Sequence, residues 1–254
     1  MLTQKYENIR RGIDTTNQLV YGHEAWIVTD KSVYEPGEEV CGILRWGHNM
    51  RPDGFFRLDE IRAFVTDEKG NRIAISPIKG AGDELGDFYE LRFTPVSTGI
   101  HTIMVIYDNN YCRNEKDEYI EGDRRTYPDI LECKNYPQIY ETCISVGEKS
   151  GTIDFIHESR VSFIPDPWKA DTDVLNLTLI FDKFPVKGAS CIIVHYDGEN
   201  YTERFLNTDK DGKIFFNVEK KGIYMAVTRK DLDEGIEGIY DGKGVASTFT
   251  YVKR

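Results

Sequence analysis

His101-Thr102-Ile103-Met104-Val105-Ile106-Tyr107 is a run of β-branched and aromatic residues entered through Thr98-Gly99 and left into a polar, Asn- and Asp-rich stretch. Such a short run, closed on both sides by turn residues, reads as a β-strand rather than part of a helix. The same punctuation recurs upstream, in Ala25-Trp26-Ile27-Val28, Val40-Cys41-Gly42-Ile43-Leu44, Ile61-Arg62-Ala63-Phe64-Val65 and Phe88-Tyr89-Glu90-Leu91-Arg92-Phe93. Asp67-Glu68-Lys69-Gly70-Asn71 has the chemistry of a hairpin turn. Regular short strands of this kind predict an immunoglobulin-like sandwich, not an alternating α/β fold.

Downstream the pattern resumes. Leu175-Asn176-Leu177-Thr178-Leu179-Ile180-Phe181 alternates as a half-buried strand should. Cys191–Tyr196, Gly222–Val227 and Val245–Val252 follow it. Thr208-Asp209-Lys210-Asp211-Gly212-Lys213 has two aspartates and a glycine, but the bidentate carboxylate of a calcium loop is missing at the required spacing, so a hairpin turn is the better reading. The expectation is therefore an all-β protein of two β-sandwich domains. The first, immunoglobulin-like, covers residues 21–147. The second, smaller and of the carboxypeptidase-regulatory or transthyretin-like kind, covers residues 160–254. An N-terminal extension, residues 1–20, is expected to be helical around Gln4 to Asn17, with a further helical turn near Asp231-Leu232-Asp233-Glu234.

Between the two lies an insert, residues 108–140, rich in Asn, Asp, Glu and Arg but carrying Tyr111, Tyr119, Tyr127, Tyr136 and Tyr140. A linker has no need of that much apolar ring area. The insert is expected to be irregular but ordered against the first sandwich.

With 254 residues, 40% of them hydrophobic and 12% aromatic, the chain can bury a sizeable core and is not disordered. A net charge of −11 argues against nucleic acid as a partner. The chain as given shows neither a signal peptide nor a transmembrane stretch, which on its face means a cytoplasmic protein that does not span a membrane. The five cysteines are odd in number and form no CxxC pair. Cys41, Cys143 and Cys191 sit in apolar runs, whereas Cys112 and Cys133 could pair if the protein is exported.

No GxSxG elbow, GxxxxGK[ST] loop, HExxH or GxGxxG is present, and no residue suggests itself as a nucleophile. The chain is read as a non-enzyme. Chemistry is suggested instead by two histidines: His23 in Gly22-His23-Glu24-Ala25-Trp26 and His48 in Trp46-Gly47-His48-Asn49. They bracket the turn Tyr34-Glu35-Pro36-Gly37-Glu38, so neighbouring strands could bring them to one divalent ion. The competing reading is that each is a hydrogen-bonded structural residue beside an aromatic.

In order along the chain, His23-Glu24-Ala25-Trp26-Ile27, Tyr34-Glu35-Pro36-Gly37-Glu38, Gly47-His48, Tyr107-Asp108, Ile139–Gly147, Phe184–Ala189, Thr208–Gly212 and Gly238-Ile239-Tyr240-Asp241 resemble the accessory β-sandwich proteins of nickel and cobalt uptake systems. The resemblance spans most of residues 21–252 and implies a non-catalytic protein that binds Ni2+ or Co2+ through His23 and His48. It also implies a membrane metal-transporter component as partner. Zn2+ or Cu2+ could occupy such a site in vitro. Further donors could be Glu24, a carboxylate of the insert, or His101. Members of that family are mostly exported, with the histidine near the processed N-terminus, whereas here twenty-two residues precede His23. The alternative is a structural or adhesive tandem sandwich, a subunit of a larger assembly with no metal role. A cryptic enzyme is the third reading, and nothing in the sequence favours it.

Overall fold

The computed structural model describes residues 23–54, 56–116, 118–147, 150–153 and 159–254. The segment Gln4 to Asn17 lies outside them. Among the described residues the structure is nearly all β, as expected, and its helical content is one short turn, Leu58–Glu60. The segment around Asp231–Glu234 is not helical. The strand Gly222–Leu232 runs into it, and its edge pairs with Gly242–Lys253 as far as Leu232↔Lys243.

Three sheets are stacked. A central ten-stranded sheet is built around two fifteen-residue strands, Gly99–Arg113 and Glu132–Val146, paired antiparallel over their whole length. A five-stranded sheet containing Glu24–Thr29, Val40–His48 and Tyr89–Phe93 covers part of one face. A four-stranded sheet containing Val161–Pro165, Val174–Phe181 and Lys213–Asn217 covers the other.

Because successive side chains of a strand point to opposite faces, each central strand feeds two cores. Ile103, Val105 and Tyr107 enter the core under the five-stranded sheet with Ala25, Ile27, Leu44 and Leu91. Ile100 and Met104 enter the other with Phe163, Leu177, Leu179 and Phe249. A strand covered on both sides loses its hydrophobic alternation. That is why His101–Tyr107 reads as an unbroken apolar run. The first and second halves of the chain are thus joined by a shared sheet. Glu132–Val146 carries it across by pairing parallel with Gly242–Lys253.

The tyrosine-rich insert is only partly irregular. Residues 108–113 and 132–140 continue the two long strands as a ribbon, with Tyr119–Glu121 added at its edge. Tyr107 and Tyr140 are buried in the first core and Tyr111 packs against it. Cys112 and Cys133, directly opposite one another in the ladder, form a disulfide. Next to it, Arg124 grips the Asp241 carboxylate with two N–H groups, and Asp241 also accepts the Cys133 amide. The turn at Thr208–Lys213 is not the expected hairpin turn: Asp209 accepts the backbone amides of Asp211 and Lys213, but the strands it joins, Tyr201–Asn207 and Lys213–Asn217, belong to the central and the four-stranded sheet and do not pair with each other.

One charged group sits in the second core. Glu141 is fully buried and accepts the Ser162 hydroxyl, the Phe163 amide at 3.0 Å and the Ser247 hydroxyl at 3.3 Å. It ties the four-stranded sheet to the central one. Burial pushes its carboxyl up to about 7, against the pull of those three donors.

Candidate metal centre

Antiparallel pairing of Glu24–Thr29 with Val40–His48 sets Ala25 opposite Trp46 and Glu24 opposite Gly47. One step further in the same register, His23 falls opposite His48, although 25 residues separate them in sequence. Strand alternation then puts His23, Trp46 and His48 on one side and Glu24 on the other. The His23 ring lies flat on the Trp46 indole, with centroids 3.7 Å apart and planes 7° apart. The His48 ring is 3.9 Å from that of His23.

After His48 the chain turns at Asn49-Met50 and returns as Arg51-Pro52, pairing back on Gly47 and His48. The return is so close that a Cβ on Gly47 would lie 2.0 Å from the Arg51 carbonyl oxygen, so only glycine fits. Asp53 follows. Its amide donates to the Trp46 carbonyl at 3.3 Å, and Gly54 lies flat against the indole, where a Cβ would come within 2.7 Å of the ring.

This loop brings a carboxylate to the histidines. Asp53 Oδ2 is 2.6 Å from His48 Nδ1, and Oδ1 is 3.5 Å from His23 Nε2. Each of the three residues offers a donor atom, and the three atoms lie within 4.8 Å of one another. Partial burial works against the Asp53 charge. Hydrogen bonds from His23 and His48, with their charges, outweigh it and hold the carboxyl well below the usual range. His48 is buried, His23 partly so, and Asp53 faces outward. Behind them Trp46 rests on Phe56, which contacts Tyr107 and Tyr140.

Of the residues singled out from sequence, the structure brings His23 and His48 together. Glu24 and His101 are not in the group. Glu24 projects from the opposite face of its strand. Burial pushes its carboxyl up to about 7, while His48, Arg229 and the amides of Asn49 and Met50 act the other way. His101 pairs with Asp67 near the start of its strand, six residues before Tyr107, roughly 20 Å at strand rise. It is held by Ser97 Oγ at 3.2 Å and the Gly99 carbonyl at 3.3 Å. Sequence reasoning missed Asp53. The available signal was Pro52-Asp53-Gly54, turn residues that end a tight return beside His48.

Residues 20–230 match the family model "Domain of unknown function (DUF4198)". The chain belongs to this family. No functionally curated protein matches it. Among solved structures it is similar to a DUF4785 family protein from Legionella pneumophila, at 10% identity and a TM-score of 0.30, covering 80% of this chain and 51% of that one. It is also similar to Escherichia coli alpha-2-macroglobulin activated by porcine elastase, at 11% identity and a TM-score of 0.26, covering 92% of this chain and 20% of that one. A two-domain fibronectin type-III segment of chicken tenascin gives 9% identity and a TM-score of 0.22, covering 89% and 97%. The chain spans about half the length of the Legionella protein and a fifth of the macroglobulin. The activities of these proteins do not transfer to this DUF4198 member. Among the described residues no helix is long and apolar enough to cross a membrane.

Proposed function

We propose that this DUF4198 protein is a non-catalytic binder of a divalent transition metal and serves as an accessory of nickel or cobalt uptake. The observation that carries the reading is the convergence of two imidazoles and a carboxylate, from His23, His48 and Asp53, on one another. Nitrogen and oxygen donors at about 2.0–2.2 Å from an ion can be at most about 4.4 Å apart. The group therefore closes on an ion with small movements of rings and carboxylate. Three protein donors leave positions for water or for a ligand from a transporter subunit. The donor set suits nickel, cobalt, zinc and copper rather than calcium or magnesium. The choice of nickel or cobalt follows the family resemblance. The Cys112–Cys133 disulfide supports an oxidising compartment.

A second reading has its own support. The 2.6 Å contact of Asp53 with His48 gives both groups a partner without any ion, as a purely structural tandem sandwich would require. Calorimetric titration with Ni2+ and Co2+ separates the two, using wild type, His48→Ala and Asp53→Asn, with Trp46 fluorescence read alongside. Metal binding predicts saturable heat in wild type, loss of it in both variants, and quenching of Trp46 by the paramagnetic ion. Equal heats in all three proteins, or none in any, would establish the structural reading.

A further inference from the structure

One ring contact at the candidate centre differs from those behind it. Trp46–Phe56, Phe56–Tyr89, Phe56–Tyr107 and Phe56–Tyr140 are tilted by between 40° and 47°. His23 and Trp46 are instead parallel to within 7°, with centroids 3.7 Å apart. Two neutral rings gain least from lying face on face, because their negative π-clouds repel. Positive charge on one ring reverses this, and tryptophan offers it the richest face. An imidazole that binds a divalent ion gives up electron density to it. Coordination at His23 therefore strengthens the stack on Trp46, and the contact favours the loaded state over the empty one. Only such a differential contact can raise affinity.

For packing alone, tryptophan is a costly choice at this position. The indole Nε1 is buried and completes no hydrogen bond among the described residues, a penalty that phenylalanine or leucine would not carry. The ring rests on Phe56, and Gly54 lies so close to it that a Cβ there would clash. His23, by contrast, lies one residue before Glu24, the first paired residue of its strand. The ladder does not hold its side chain, so without Trp46 the ion would have to order the ring itself and lose affinity by doing so.

We propose that Trp46 is a positioning residue of the metal centre. Its indole face holds the His23 imidazole in the orientation that ligates and stabilises that ring once the ion is bound, acting through His23 rather than on the ion. The proposal rests on the metal-binding reading.

The test compares Trp46→Phe, which keeps a poorer ring face, and Trp46→Leu, which keeps apolar bulk alone, with Leu91→Ala, a truncation in the same core. Leu91 pairs with Gly42, well along the strand from Trp46. The Kd for Ni2+ by calorimetry and the melting temperature are read on each protein. Ni2+ affinity is expected to fall about 5-fold in Trp46→Phe and about 10- to 30-fold in Trp46→Leu, in the order of their ring faces. Leu91→Ala should melt lower than wild type yet bind Ni2+ within about twofold of it. Should Trp46→Leu fail to fold, Trp46→Phe against Leu91→Ala decides alone. Wild-type affinity in the Trp46 variants would overturn the positioning role and leave the metal reading intact. An equal loss of affinity in Leu91→Ala would also overturn it, because the effect would then be one of core stability. Absence of Ni2+ binding by wild type, or equal binding by His48→Ala, would instead bring down the metal reading beneath it.

Discussion

Replacing Glu141 by Gln should make the protein more stable at pH 8 and flatten its pH dependence. The carboxyl is fully enclosed between the central and four-stranded sheets, and burial raises it from an ordinary 4.5 to about 7. A carboxyl raised in the folded state binds its proton more tightly there than in the unfolded chain. Its contribution to stability is therefore fully present below about pH 4.5 and is lost as pH rises through about 7. At about 1.4 kcal/mol per tenfold change in proton affinity, the whole loss is about 3 kcal/mol. About 2 kcal/mol of it falls between pH 5.5 and 8. Glutamine carries no charge, yet with its carbonyl in the place of Oε2 it can accept from Phe163 and Ser247, and its amide in the place of Oε1 can donate to the Ser162 hydroxyl. Urea unfolding at pH 5.5 and 8 measures the effect. Wild type should lose about 2 kcal/mol more than the variant across that interval, equivalent to a melting-temperature difference of about 4–8 °C for a chain of this size. Identical pH dependence in the two proteins would refute the reasoning, because it would mean that the three hydrogen bonds fully offset the cost of burying the charge.

Two further outcomes follow from the geometry. Gly47→Ala places a methyl group against the Arg51 carbonyl; the hairpin must open, at a cost on the order of 1–3 kcal/mol, and Ni2+ heat in calorimetry should fall with it. Reducing the Cys112–Cys133 bridge, or the Cys112→Ser Cys133→Ser variant, removes a cross-link closing 21 residues. Loop-closure entropy puts that loss at about 3 kcal/mol, readable as a lower urea midpoint, and an unchanged midpoint would show that the backbone ladder and the Arg124–Asp241 pair hold the ribbon without the cross-link.

By itself the sequence determined the class of fold and most of its strands. Runs such as Val40–Leu44, Leu175–Phe181 and Val245–Val252 carry β-branched residues between turn residues, and local backbone preference acts over that range. It also pointed to His23 and His48, because histidines in short settings flanked by tryptophan and glycine stand out in a chain with only five. The tertiary structure decided what depends on pairing between distant segments. A hydrophobic run does not say which strand will lie beside it, so Asp108–Tyr140 looked like an irregular insert, whereas Glu132–Val146 extends it into a ribbon across the shared sheet. The polar ribbon residues concealed this, since they face solvent or one another rather than a core. The candidate site divides in the same way. The imidazoles were visible as residue types. Asp53 joined them only through the left-handed tip at Asn49-Met50, and Glu24 was set apart because adjacent residues of a strand face opposite sides.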